Sequence, residues 1–143
     1  MGKVAILLAS HGEFAKAALE SAEMIIGKQE NFGIFSLSLN DNLDSAVKKM
    51  ETVYQSLDTT RGTLVLTDIY GGTPNNVATT LLQKKDPVQI FSGLNLPLLL
   101  EIGANRGQSL AALTTLVETI FPQTQLNVNE MMKGMEADGD SLD

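Results

Sequence analysis

The chain has 143 residues, a length typical of one domain, and its 43% hydrophobic content predicts a compact fold. The absence of cysteine excludes disulfides and thiolate catalysis, and the net charge of −7 argues against nucleic acid as a partner. The apolar run at residues 4–9 is too short for a membrane span or a signal peptide, so we expect a cytoplasmic protein with no direct membrane insertion.

Apolar runs alternate with amphipathic segments in the first part of the chain. Residues 3–9 (KVAILLA) predict a strand that is buried on both faces. Residues 13–26 predict a helix that ends at Gly27. Residues 33–39 alternate apolar groups with serines, which is typical of an edge strand with one wet face.

The alternation continues through a second helix and a third strand. Residues 42–57 carry apolar groups at helical spacing, and we expect Asn40 or Asp41 to be the N-cap. Residues 63–67 (TLVLT) are a further short apolar run, which predicts a third buried strand.

A third helix and a fourth strand follow. Thr73 and Pro74 predict the N-cap and first residue of a helix that extends to about Lys85. Residues 88–91 predict the fourth strand.

The C-terminal part of the chain is predicted to be helical and then acidic. Residues 96–103 and 109–121 favour helices, and residues 125–129 (QLNVN) favour a short fifth strand. Residues 130–143 contain five acids and one base, which is typical of a solvated, frayed tail. We therefore predict one domain over residues 1–129 and an acidic C-terminal tail after it.

Strands that alternate with helices predict a doubly wound, parallel α/β sheet with helices on both faces. Ligands of such sheets bind at the carboxyl ends of the strands. Polar residues follow three of the predicted strands, at Ser10-His11-Gly12, at residues 68–74 and at residues 92–95. We expect all three segments on one rim of the sheet, with His11 and Asp68 within hydrogen-bond reach.

This rim has the parts needed for phosphoryl transfer to a histidine. His11 is the only histidine in the chain, and a carboxylate at Asp68 would fix its tautomer and leave one nitrogen as a nucleophile. Gly71, Gly72 and Thr73 precede a predicted helix, where backbone N–H groups favour anions.

Other residues of the rim are weaker candidates for lining the site. They are Ser10, Gly12, Phe14, Tyr70 and Asn95. Asn95 also suits a helix cap and Tyr70 also suits a packing role, so both interpretations stay open for these two residues. We expect an apolar rim around His11 that includes Phe14.

Three motifs resemble one known family. ASHGEFAKA, DIYGGTPNN and SGLNLPLLLE, each after a predicted strand, resemble the enzyme IIA domain of the mannose/fructose/sorbose family of the bacterial sugar phosphotransferase system. The resemblance covers residues 3–128. Proteins of that family take a phosphoryl group from phospho-HPr and pass it to a IIB component, which phosphorylates sugar that enters through membrane components.

The resemblance implies the roles of individual residues. His11 would be the phosphoryl acceptor, on Nε2, and Asp68 would hold its other nitrogen. Gly71, Gly72 and Thr73 would surround the phosphate. No metal and no cofactor would be needed, and the partners would be HPr and a IIB component linked to membrane IIC and IID.

The resemblance also implies the strand order 2-1-3-4 and a short antiparallel fifth strand that is exchanged in a homodimer. Residues 125–129 are the candidate for this strand. Because the chain ends with an acidic tail and not with a linker and a second domain, we expect a free-standing IIA component whose IIB partner is a separate polypeptide.

Two alternatives remain open, namely the phosphocarrier subunit of a dihydroxyacetone kinase and a sensor that reports phosphorylation state. Other classes fit the sequence poorly. A histidine phosphatase would need an arginine where Ser10 stands, and a tetrapyrrole chelatase would need more metal ligands. A flavin binder would need a Ser/Thr-rich loop after the first strand, and a receiver domain would need an acidic pair there.

Overall fold

The computed structural model describes residues 2–137, and its centre is a sheet of four parallel strands in the order β2-β1-β3-β4. This confirms the predicted α/β class and strand order. The strands are β1 (Ala5–His11), β2 (Phe32–Leu37), β3 (Thr63–Thr67) and β4 (Val88–Ser92).

Helices cover the sheet on both sides, as predicted. They are α1 (Phe14–Ile26), α2 (Leu43–Gln55), α3 (Thr73–Ala78), α4 (Leu96–Ala104) and α5 (Leu110–Ile120), with short 3₁₀ segments at Thr79–Gln83 and Phe121–Gln123. A sixth helix, α6 (Val128–Ala137), follows, and none of its described side chains belongs to the two buried cores. Within the described residues, no helix has the length and the apolar character needed to cross a membrane.

The two central strands bury both of their faces. Along β1, Ile6 and Leu8 pack into a core that includes α1, α4 and α5, whereas Leu7 and Ala9 pack into a core that includes α2 and α3. The period of two along a strand explains this division, since successive side chains point to opposite faces. A strand with two buried faces reads as a continuous apolar run, which is why β1 and β3 were identifiable in the sequence.

The N-cap of α2 differs from the expected residues. Asn42, and not Asn40 or Asp41, caps this helix, because its side chain accepts from the Ser45 amide while the Ser45 hydroxyl accepts from the Asn42 amide. Asp41 instead receives the Lys49 ammonium at 2.7 Å and the Ser38 amide at 2.8 Å. The hydrogen bond from Lys49 is the main reason why the pKa of Asp41 falls to about 2.

The third helix begins at Thr73, one residue earlier than predicted, and it is shorter than expected. Gly72 is the N-cap, since its carbonyl accepts the Asn76 amide at 2.9 Å, and Thr73 is already helical. The α-helix ends at Ala78 and continues as 3₁₀ only to Gln83, short of Lys85.

The strand predicted over residues 125–129 is wrong for the single chain. Residues 125–127 form no strand, and α6 begins at Val128. The Asn127 side chain accepts from the Glu130 amide at 3.1 Å and so caps this helix. Apolar residues at 128, 131, 132 and 135 have the helical period, which becomes visible only when the pattern is followed past QLNVN.

The predicted tail is therefore helical as far as Ala137, and its remaining residues, 138–143, lie outside the described part of the chain.

The revised cap of α2 can be tested directly. Asn42→Ala removes an N-cap acceptor and should lower the free energy of unfolding by about 1 kcal/mol in urea denaturation. Asn40→Ala is the matched control, since Asn40 contributes only its exposed backbone amide, which donates to the Ser38 hydroxyl. Equal losses for the two variants would contradict the assignment of Asn42 as the cap.

Candidate functional site

The site lies where the two central strands end side by side. His11 is the last residue of β1, and Asp68 directly follows β3. Ala9 and Thr67 are paired in the sheet, and the Asp68 amide donates to the Ala9 carbonyl at 3.0 Å. This register brings His11 and Asp68 together, as expected for residues at the carboxyl ends of neighbouring parallel strands.

One carboxylate oxygen holds both the backbone and the ring of His11. Asp68 Oδ2 accepts the His11 amide at 2.9 Å and lies 2.8 Å from His11 Nδ1. The other oxygen, Oδ1, accepts the amide of Ile69 at 2.9 Å. The His11 side chain is still 52% exposed, so its far edge is open to an incoming group.

The electrostatics keep Asp68 ionised. Burial raises the pKa of Asp68, but the hydrogen bonds from the His11 amide, the His11 ring and the Ile69 amide outweigh it, and the net pKa is below the ordinary 3.8. An ionised carboxylate only accepts hydrogen bonds, so Nδ1 of a neutral His11 carries the proton. Nε2 then has a free lone pair.

The glycines after β3 bring the backbone against the imidazole. A Cβ added at Gly72 would lie 2.9 Å from His11 Cε1 and 3.5 Å from Nε2, so only glycine permits this approach. Gly71 has a φ of 82°, in the left-handed region that glycine enters freely. Within residues 2–137, the amides of Gly72 and Thr73 have no hydrogen-bond partner.

Four of the weaker candidates differ in burial and conformation. Ser10 is fully buried, and its hydroxyl accepts the Ala15 amide at 2.8 Å, so it supports the start of α1 from below and does not reach the surface. Gly12 adopts a φ of 54° in the turn from β1 to α1. Phe14 at 53% and Tyr70 at 83% exposure are open to solvent.

The remaining candidate, Asn95, is engaged as a helix cap. Its side chain accepts the Leu98 amide at 2.9 Å and donates to the Gly93 carbonyl and the Thr124 hydroxyl. These bonds support the interpretation of Asn95 as a helix cap. None of them connects it to His11 or Asp68.

Two asparagines of the DIYGGTPNN motif, for which no role was predicted, hold the start of α3 in place. Asn75 is buried and accepts the Thr67 hydroxyl at 3.0 Å, which ties α3 to the end of β3. Asn76 donates its amide to the Gly72 carbonyl at 2.9 Å and its side-chain Nδ2 to the Gly71 carbonyl at 3.2 Å. Their position in the first turn after a Gly-Gly pair is the signal that would have identified them.

The described part of the chain contains no cluster of side chains that could bind a metal ion. Among residues 2–137, no three His, Asp, Glu or Cys side chains come together in a group that could hold an ion.

The fold and site together define a class: a parallel α/β domain with an exposed imidazole held by a carboxylate where its central strands end. A sequence model of one such family, described as the fructose IIA component of the PTS system, matches residues 5–121. The chain therefore belongs to the mannose-type EIIA family of phosphotransferase-system components.

Individual relatives agree with this membership. The sorbose-specific EIIA component of Lacticaseibacillus casei is 31% identical over 89% of this chain and 92% of its own length. The mannose-specific EIIAB component of Escherichia coli K12 is 36% identical over 68% of this chain, and the match spans only 30% of that longer protein.

Solved structures show the same fold. The mannose/sorbose-specific IIA subunit from Enterococcus faecalis superposes with a TM-score of 0.80 at 28% identity, over 88% of this chain and 95% of that one. The IIA protein associated with the fucose utilization operon of Streptococcus pneumoniae gives 0.76 at 31% identity, over 92% and 99%.

The tautomer of His11 is a direct readout of the contact with Asp68. In ¹⁵N NMR at a pH where the ring is neutral, we expect the proton on Nδ1 in the unmodified chain and a mixture of tautomers in Asp68→Ala. The spectrum is unambiguous because the chain has one histidine. A tautomer ratio that is unchanged in the variant would show that Asp68 does not control the ring.

The lowered pKa of Asp68 also predicts a dependence of stability on pH. The stabilisation from ionised Asp68 is complete above the ordinary carboxyl pKa of 3.8 and is lost as the pH falls through the lower folded-state value. Urea denaturation of the unmodified chain and of Asp68→Asn should therefore differ at pH 7 and converge in acid. A difference that persists unchanged at the acid end would contradict the ion-based explanation.

Proposed function

We propose that the protein is a phosphoryl carrier in which Nε2 of His11 accepts a phosphoryl group from phospho-HPr and passes it to a IIB component. The observation that carries the proposal is the single Asp68 oxygen that holds both the amide and Nδ1 of His11. It fixes the ring and its proton while leaving Nε2 without a hydrogen-bond partner among the described residues and the side chain 52% exposed.

The transfer step balances without any further reagent. The Nε2 lone pair attacks phosphorus, the P–N bond of the donor phosphohistidine breaks, and the donor imidazole leaves with that electron pair. The His11 ring then carries imidazolium character, which the negative charge of Asp68 stabilises through Nδ1–H. The amides of Gly72 and Thr73 have no other partner among the described residues and are available to the phosphoryl oxygens.

Membership of the EIIA family supports the choice of partners. The relatives are named as mannose-, sorbose- and fructose-specific components of phosphotransferase systems. In this proposal HPr is the donor and IIB the acceptor, and IIB is linked to membrane IIC and IID components that admit the sugar.

We also propose that the protein acts as a homodimer in which the C-terminal segment of each chain crosses to the other. The outer edge of β4 pairs with no strand within the described residues, and all five of its residues are partly exposed. A mostly apolar cleft of about 580 Å³ lies beside it, lined by Leu82, Ile90 and Phe121 among others. Leu126, Val128 and Met131, further along the same chain, are exposed apolar groups of the kind that would cover it.

The first test of the carrier is intact mass after incubation with enzyme I, HPr and phosphoenolpyruvate. We expect the unmodified chain to gain one phosphoryl group that brief acid treatment removes, as a phosphoramidate should. His11→Ala should gain none and keep its fold, since no other histidine exists. Label in the His11→Ala variant would contradict the assignment.

Asp68→Ala is the second arm of this experiment, because it keeps the acceptor ring and removes its support. We expect transfer to slow on the order of 100-fold as electrostatic stabilisation is lost. Addition of a IIB component distinguishes a carrier from a sensor, since a sensor would accept the phosphoryl group and fail to pass it on.

A further inference from the structure

We propose that Asn76 is a positioning residue that aims the backbone amides of Gly72 and Thr73 at the phosphoryl group on His11. The inference rests on the proposed carrier function. It assigns a role to a residue that makes no hydrogen bond to the imidazole within residues 2–137.

Asn76 holds two successive peptide groups at once. Its backbone amide donates to the Gly72 carbonyl at 2.9 Å, and its side-chain Nδ2 donates to the Gly71 carbonyl at 3.2 Å. The first bond belongs to the helix and would form with any residue except proline at this position. The second depends on the asparagine side chain.

The direction of the amides follows from peptide geometry. In a trans peptide the N–H lies antiparallel to the C=O of the same unit. The Gly71 carbonyl shares its peptide with the Gly72 N–H, and the Gly72 carbonyl shares its peptide with the Thr73 N–H. Because Asn76 draws both carbonyls to its own side, both N–H groups point away from it.

The imidazole lies against the residue between these two peptides. The Cα of Gly72 faces the His11 ring, as shown by the Cβ position that would lie 2.9 Å from Cε1 and 3.5 Å from Nε2. The two N–H groups flank this Cα, and neither has a partner within residues 2–137. A phosphoryl group on Nε2 would therefore meet two donors already oriented.

The two glycines cannot hold these N–H groups in one orientation by themselves. Two successive glycines have wide backbone freedom, and Gly71 adopts a φ of 82°. Without a restraint, the peptide between them could rotate and remove one donor from the transition state. Since α3 has only six residues, the proposed interaction comes from these two peptide N–H groups and not from the dipole of a long helix.

Asn76→Ala tests the inference in the full chain. The side chain is exposed, so the variant should fold with an unchanged thermal midpoint. We expect the rate of phosphorylation by phospho-HPr to fall roughly fivefold, as loss of one aligned hydrogen bond implies, with the fall in kcat and not in KM for the donor.

Amide NMR supplies a readout that a merely structural role would not move. Phosphorylation should shift the amide protons of Gly72 and Thr73 downfield in the unmodified chain, and the shift of Gly72 should shrink in Asn76→Ala. Thr80→Ala is the matched control, because it removes a side-chain bond to a backbone carbonyl, that of Val77, in the helical turn that follows. It should leave both the rate and the amide shifts unchanged.

The outcomes of these experiments distinguish failure of the positioning role of Asn76 from failure of the proposed carrier function. If the unmodified chain is phosphorylated and Asn76→Ala behaves like Thr80→Ala, the positioning role is wrong and the carrier function stands. If the unmodified chain takes no phosphoryl group, both proposals are overturned. A slower Asn76→Ala with diminished amide shifts supports both.

Discussion

The site depends on the hydrogen bonds that converge on the Asp68 carboxylate. Oδ2 receives two donors from His11, and Oδ1 receives the Ile69 amide. Hydrogen bonds to a charged group contribute about 1.5–3 kcal/mol each, so three of them exceed the cost of removing a partly exposed carboxylate from water. The lowered pKa of Asp68 is the signature of that balance. A carboxylate that stays ionised is what makes the histidine tautomer unique.

This contact depends on the register of two neighbouring buried strands. β1 and β3 are neighbours in register, with Ala9 opposite Thr67, and the cores on both faces prevent either strand from sliding. A slip of one residue would turn every side chain of the strand to the opposite face. The hydrophobic pattern of the strands therefore sets the distance between His11 and Asp68, although neither residue belongs to the core.

The features that sequence could predict are those set by burial and by strand ends. The apolar runs at β1 and β3, the class of fold and the meeting of His11 with Asp68 all follow from alternation and the geometry of parallel sheets. Family resemblance supplied the strand order, which composition and spacing alone do not determine.

Features that depend on which of several adjacent polar residues makes a bond were not predictable. Asn40, Asp41 and Asn42 have nearly equal capping tendencies, and the choice of Asn42 follows from Asp41 being drawn to Lys49. The prediction for the region around residue 128 was wrong for another reason. The stretch QLNVN alternates like a strand over five residues, whereas its helical period needs the methionines that follow.

Asn76 shows the same limit at the site itself. It lies within the DIYGGTPNN motif, but the bond from its side chain to the Gly71 carbonyl depends on a loop conformation that only the folded chain defines. Local polar contacts of this kind are short in sequence and ambiguous in pattern. Burial of the strands sets where the site lies in the fold, and these polar contacts then set the positions of its individual groups.

The position of the arginines bears on how such a site would work as a carrier. The chain has two, and both are used at the opposite, amino end of the sheet: Arg61 donates to the Gly2 carbonyl, and Arg106 to the carbonyls of Val4 and Glu30. Guanidinium groups bind phosphate bidentately and strongly. In the proposed function, neutral backbone amides beside a negative Asp68 would hold a phosphoryl group more weakly than an arginine clamp would. Weak holding suits a proposed carrier, because the free energy of the bound state must stay close to that of donor and acceptor for the group to move on.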